Sequence, residues 1–189
     1  ACDLRGPALD SLGNARHSSP SGFVRLLVIL DGLPTMWKAL DWASEAAHMD
    51  PGLRVRVREH YALPVSEIAR GAGRQVAEWE NLNIDRPAPL HESFARTDVV
   101  AYVSTTAAFY ALYLGIPAVK LEIDDSVLDD PLFECPHLKR TARSPHELVE
   151  VVASFASLSE KEFAAEAHEA ASYIANYLRQ QNAESTAPF

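Results

Sequence analysis

Cysteine is scarce: Cys2 and Cys135 are the only two thiols in 189 residues. They make neither a disulfide framework nor a metal-ligand spacing, and a reducing, cytoplasmic setting fits best. Basic residues are outnumbered. Seventeen Lys and Arg stand against 26 Asp and Glu, a formal net charge of −9. Duplex nucleic acid is a poor partner for such a field, since its binders usually carry a basic face. An acidic chain can still hold an anion through local amides and arginines. No apolar run reaches the roughly 18 residues of a membrane span, and no signal-peptide pattern stands at the start. Peripheral membrane contact stays open. There is no Walker A motif, no Gly-x-Gly-x-x-Gly and no Gly-x-Ser-x-Gly. Their absence argues against a P-loop, a simple dinucleotide site and a hydrolase elbow. The histidines show no metal spacing. Asp124, Asp125, Asp129 and Asp130 crowd one loop without matching an EF-hand, and solvated loop charge is the plainer account. No metal and no cofactor is expected.

Apolar residues are present in the ordinary amount, 48%, with 23% charged, which suits a globular domain. Residues 1–22 are rich in Gly, Ser, Pro and Asn and read as an arm or linker. The chain opens on Ala, as a processed or excised piece would. Residues 23–181 read as one domain and 182–189 as a frayed tail. Phe23 to Leu30 is a near-continuous apolar run, the mark of a strand covered on both faces. Asp31, Gly32, Leu33 and Pro34 make a turn into a helix with Met36, Leu40, Ala43 and Ala47 at helical spacing. Trp37 and Trp42 are packing residues. Leu53 to His60 alternates, with Val55 and Val57 on one face and Arg54, Arg56 and Arg58 on the other. Ser66 to Arg74 follows as a short helix with Ser66 as its cap. Val76 to Trp79 reads as a weak strand, Asn81 to Pro89 as a loop, and Leu90 to Arg96 as a short helix.

The stretch from Asp98 to Ile123 carries the organisation. An apolar strand, DVVAYV, meets the hydroxyls Ser104, Thr105 and Thr106, then a helix with Phe109, Leu112 and Tyr113 on its buried face, then Gly115 and a second strand. That is a βαβ unit. Unpaired amides at a helix start suit a phosphate, although Ser and Thr there also serve as plain N-caps. His137 to Ala142 reads as a last strand. Ser144-Pro145-His146-Glu147 and Ser159 to Glu162 are capping-box starts for two closing helices, the second with Phe163, Ala167, Ala170, Ile174 and Leu178 in a stripe. Strands alternating with helices predict an α/β doubly wound parallel sheet with helices on both faces. Ligands of such sheets lie at the carboxyl ends of the strands. Three loops fall there: Asp31 to Thr35, Arg58 to Pro64, and Ser104 to Thr106. Arg58 is the best placed of the arginines to meet an anion, Arg54 and Arg56 reading as a solvated face. His60 is open to phosphate contact, proton transfer or no role. Cys135 reads as inert.

DVVAYVSTTAAFYALYLGIPAVKL resembles the nucleotide-binding half of GT-B glycosyltransferases. His60 with Pro64, SPHELVEVV from Ser144, and the Gly6-Pro7 linker with Asp10-Ser11-Leu12 extend the resemblance over about residues 4 to 180. The resemblance implies a Rossmann-like, C-terminal donor domain that binds a nucleotide-sugar and works with an N-terminal Rossmann-like domain on a polysaccharide or glycolipid. It implies donor phosphate contacts at Ser104, Thr105, Thr106, Gly32, Thr35, His60 and Arg58. It puts the base and ribose near Glu80, Asn81, Leu82 and Tyr110. Tyr110 is a departure, because the family commonly has a ribose-holding Glu at that position, and one phenol does not replace two carboxylate oxygens. Sugar-nucleotide epimerases, polyol-phosphate transferases and a non-catalytic binding domain are alternatives on the same fold. On its own, the chain is expected to fold with little or no transferase activity.

Overall fold

The computed structural model describes residues 22–85, 89–123 and 130–184, with side chains to 177. The arm at residues 1–21, the acidic residues Asp124, Asp125 and Asp129, and the end of the tail lie outside the described residues. Helix extends through Glu184, so the first residues of the expected frayed tail are helical.

Six strands form one parallel sheet. They are β1 (Val24–Ile29), β2 (Leu53–Arg58), β3 (Asn83–Asp85), β4 (Val99–Tyr102), β5 (Ala118–Leu121) and β6 (Lys139–Ala142), in the spatial order β3-β2-β1-β4-β5-β6. The helices are α1 (Trp37–Met49), α2 (Val65–Gly71), α3 (Leu90–Phe94), α4 (Ala107–Tyr113), α5 (Pro145–Ser157) and α6 (Glu160–Glu184). Sequence order reverses between β1 and β4, so the switch point of the sheet lies there.

The period of two in each strand builds two faces. Leu26, Val28, Val57, Ala101 and Val119 point to one side and pack with Met36, Leu40 and Ala43 leading into and along α1, and with Leu148, Val152 and Phe155 of α5. Trp37 and Trp42 pack against this cluster as expected. On the other side Leu27, Ile29 and Val100 meet Phe94 of α3 and Ala111 of α4. Tyr102 and Ala118 meet Phe109, Leu112, Ala167, Ala170 and Ile174. Continuous apolar runs are therefore strands covered twice, and the two amphipathic closing helices take opposite faces. Ser144 caps α5, its hydroxyl accepting the Glu147 N–H at 3.1 Å. Gly115 ends α4 at φ 72°, a left-handed turn that glycine adopts without strain.

Local readings shift in five places. Tyr113, expected on the buried face of α4 with Phe109 and Leu112, is 40% exposed. Val76–Trp79 is a 3-10 turn rather than a strand, closed by a capping box between Gln75 and Glu78. The loop expected from Asn81 contains β3, held to β2 by Arg56↔Asn83 and Arg58↔Asp85. Helix α2 starts after Pro64, so Ser66 lies inside it and does not cap it. Arg54 is solvated, but Arg56 is not. The Arg56 side chain is 13% exposed and pairs with Asp85 at 3.1 Å. It also donates to Ser93 O at 2.9 Å and Thr97 Oγ1 at 3.1 Å. Alternation assigned the right face, but α3 covers that face and supplies partners.

Candidate functional site

Three strand ends converge at the switch point. Asp31 follows β1 and is 8% exposed. Its Oδ2 accepts the Ser104 backbone N–H at 2.8 Å and the Ser104 hydroxyl at 3.2 Å. This joins the turn after β1 to the turn after β4. Gly32 joins the turn after β1 to that after β2: a Cβ added there would stand 2.9 Å from His60 Nδ1 and 3.0 Å from Cε1. Only the missing side chain lets the imidazole lie so close. Gly32→Ala is therefore expected to push the His60 ring aside while costing little stability, since Gly32 is exposed. A displaced His60 ring signal in NMR, with the melting temperature held within a few degrees, would show it.

His60 is held in place from its own turn. Ala62 N–H donates to Nδ1 at 3.3 Å, and Leu63 N–H donates to the His60 carbonyl at 3.0 Å. Its ring lies 4.5 Å from that of Tyr61, which is 87% exposed. With Nδ1 accepting, Nε2 carries the proton of the neutral ring and is the donor available to an anion. Thr105 and Thr106 complete the rim. Thr105 Oγ1 accepts the Ala107 N–H at 3.2 Å. The Thr105 and Thr106 amides precede the helix and make no hydrogen bond to a described residue. Helix α4 has seven residues, so its macrodipole is small. What the place offers is individual N–H and O–H donors.

The electrostatics are mixed. Burial raises the Asp31 pKa above the usual carboxylate value, while the two Ser104 bonds, Lys120 and His60 pull it back in part. Lys120 comes from β5, is 6% exposed, and donates to the Val103 carbonyl. Burial lowers its pKa, opposed by Asp130, Asp31 and Glu122. Below it lies a second cluster. Asp130 Oδ1 accepts the Tyr102 hydroxyl at 2.8 Å and the Leu132 N–H at 3.0 Å, and Oδ2 pairs with Lys139. Burial first, then Asp130, raises the Tyr102 phenol. The sequence places Asp31 in a candidate ligand loop without marking its contact with Ser104, and it places Lys120 within an apolar run. The available signal was a lysine in the middle of a strand otherwise buried on both sides.

The expected site residues divide. Gly32, His60, Ser104, Thr105 and Thr106 come together at the carboxyl edge, with Thr35 exposed in the adjoining turn Pro34–Met36. Arg58 ends β2 but points to the α3 face, where its guanidinium donates to Ser93 Oγ at 2.9 Å. Glu80, Asn81 and Leu82 precede β3 and so lie at the amino ends of the strands, away from the other candidates. Asn81 is bound there to Ser44 of α1 at 2.8 and 2.9 Å, and Leu82 is core. Residues 86–88, which follow β3 in the chain, lie outside the described set. The Tyr110 ring packs against the cluster of Leu27, Ile29 and Phe94. Among the described residues no group of His, Cys, Asp and Glu could hold a metal ion. No described helix is long and apolar enough to cross a membrane.

No family model and no curated protein matches the chain. Solved structures match its fold. The Anabaena protein HepE, crystallised with UDP and glucose, superposes with a TM-score of 0.60 at 15% identity, over 95% of this chain and 52% of its own. The fold is Rossmann-like, as in GT-B glycosyltransferases. The calicheamicin glycosyltransferase CalG4 gives 0.54 at 18% identity, over 90% of this chain and 44% of that one. A UDP-N-acetylglucosamine 2-epimerase gives 0.53 at 13%, over 96% and 50%. The chain thus spans about half the length of these proteins.

Proposed function

We propose that this chain is the donor half of a two-domain glycosyltransferase and holds a nucleotide-sugar by its diphosphate at the β1–β4 switch point. One observation carries the reading: the turns after β1, β2 and β4 are locked together there by the Asp31–Ser104 bonds and the Gly32–His60 contact. The structures that share the fold include glycosyltransferases and a protein crystallised with UDP, which supports the same reading. Thr105 and Thr106 amides and hydroxyls, with His60 Nε2, would face the phosphates. As the sugar bond breaks, negative charge grows on the leaving diphosphate, and donors fixed in advance stabilise it without reorganising. A polysaccharide or glycolipid is the acceptor class, and the acceptor would be held by a second domain of the whole protein.

Asp31 qualifies the mode of binding. It already uses the Ser104 amide, so Ser104 acts by fixing the turn, and Thr105 and Thr106 are left to meet the phosphate. Asp31 also favours a second reading, a sugar-nucleotide epimerase relative, because a buried carboxyl with raised proton affinity suits proton transfer. Product analysis with the two-domain protein separates the two readings. Donor binding itself is tested by calorimetry with UDP-, GDP-, dTDP- and CMP-sugars. One donor should bind, and Thr105→Ala/Thr106→Ala should weaken it at least tenfold. A folded chain that binds none of them is not a donor domain.

A further inference from the structure

At the opposite, amino-terminal end of the strands lies an open groove of about 750 Å³. Four arginines line it: Arg25, Arg54, Arg56 and Arg96. Such a concentration is unexpected in a chain of net charge −9. The sheet register explains it. Arg25 of β1 pairs with Arg54 of β2, so both project to the α3 face, and Arg56 lies one strand period further on. Arg96 enters from the turn between α3 and β4.

Two of the four are spoken for. Arg25 is held by Asp98 through Nε at 3.0 Å and Nη2 at 2.6 Å. Arg56 is held by Asp85 at 3.1 Å. Arg54 and Arg96 make no ion pair with a described residue, and the Arg54 guanidinium lies 5.4 Å from the centre of the Phe23 ring. The two carboxylates therefore balance two of the four positive charges and leave an excess of about two. The crowding registers on Arg56, whose pKa is lowered by burial first and also by Arg96 and Arg25.

We infer that this groove is a second ligand site, for a phosphorylated organic molecule, independent of the carboxyl-edge site. Guanidinium forks match phosphate oxygens two at a time, and Arg25 and Arg56 are stiffened by their carboxylates. The volume is within the ordinary range for small-molecule sites and exceeds what a single inorganic ion fills. Phe23 and Leu53 supply an apolar wall for the rest of the ligand. The phosphate can belong to a soluble ester or to a lipid headgroup, since both offer the same oxygens.

Binding is read at the Arg54 and Arg96 Nε–H resonances by NMR. The probes are inorganic pyrophosphate, and phosphatidylcholine vesicles with and without phosphatidic acid. Pyrophosphate is expected to shift both resonances saturably, with affinity falling steeply as salt rises. The double variant Arg54→Ala/Arg96→Ala, at two solvent-facing positions, should weaken it at least tenfold at the neighbouring amides of β1 and β2. If the lipid is the source, phosphatidic acid vesicles broaden the same resonances and plain phosphatidylcholine vesicles do not. No saturable shift with pyrophosphate and no selective broadening with phosphatidic acid overturns the inference. So does undiminished binding at these amides in the double variant.

Discussion

Asp130→Ala is expected to destabilise the fold by about 3–5 kcal/mol, the range for removing one partner of a buried ion pair. The residue looks peripheral in sequence, at the end of an acidic loop. In the structure its carboxylate takes the Tyr102 hydroxyl, the Leu132 amide and the Lys139 ammonium. The Lys139 and Asp130 side chains are 10% and 17% exposed, so solvent cannot replace the lost partner well. Truncation leaves the phenol without its acceptor and the ammonium without its counter-ion, with the Leu132 carbonyl at 2.7 Å as its remaining acceptor. Against a usual total of about 5–15 kcal/mol, a change of this size puts folding at risk. At roughly 2–4 °C per kcal/mol for a chain of this length, the melting temperature should fall by about 6–20 °C. The triple change Tyr102→Phe/Asp130→Leu/Lys139→Met removes the whole polar set together and should recover most of that loss, because apolar replacement of a buried pair is often near neutral. A fall of only a degree or two in Asp130→Ala would mean that water reaches the cluster.

Asp31→Asn carries the second large effect, with the opposite sign on binding. Two unit charges ~8 Å apart at an effective dielectric of ~20 repel by about 2 kcal/mol. A phosphate at the Thr105 and Thr106 amides would feel repulsion of that order from the Asp31 carboxylate. Removing the charge should tighten nucleoside diphosphate binding by about thirtyfold. The amide oxygen of Asn can still accept from Ser104, so the turn should survive with a loss of about 1 kcal/mol. The pH dependence follows from the raised Asp31 pKa. Because the folded value lies above the unfolded one, the folded protein binds more protons in the window between them. The contribution to stability is full below the unfolded value near 3.8 and is lost as pH rises through the folded value. Affinity for an anion should likewise rise as pH falls through that window, and Asp31→Asn should flatten the rise. The terminal phosphate itself titrates near pH 6, so the difference between variant and wild type is the quantity to plot, in calorimetric titrations at several pH values. Equal affinities at all of them would mean that no phosphate sits beside Asp31.

The sheet was legible from the chain because parallel strands buried on two faces leave long apolar runs, as at Val24–Ile29 and Val99–Tyr102. The closing helices were legible from Ser144-Pro145 and from Ser159 with Glu162, which cap as their spacing requires. Periodicity assigns a face but does not say what covers it. Arg56 looked solvated until α3 was placed over it. Position along a strand depends on finding the strand. With β3 unread, Glu80, Asn81 and Leu82 were placed beside a ligand, when they precede that strand and sit at its far end. The hydroxyls of the β4 turn stood out because three in a row are conspicuous. Asp31 did not, since its importance lies in a contact with Ser104 across 73 residues of sequence. The Tyr102–Asp130 bond, across 28 residues, and the Lys120 bond to the Val103 carbonyl, across 17, are of the same kind.

The central claim is that a nucleoside diphosphate binds where β1 and β4 part. Amide shift mapping of the labelled protein with UDP, GDP and dTDP tests it most directly. At least one of them should move the amides of Gly32, Thr35, His60, Thr105 and Thr106 saturably, and should do so undiminished in the Arg54→Ala/Arg96→Ala variant. Shifts confined to the amino-terminal groove, or none with any nucleotide while the sheet stays intact, would contradict it.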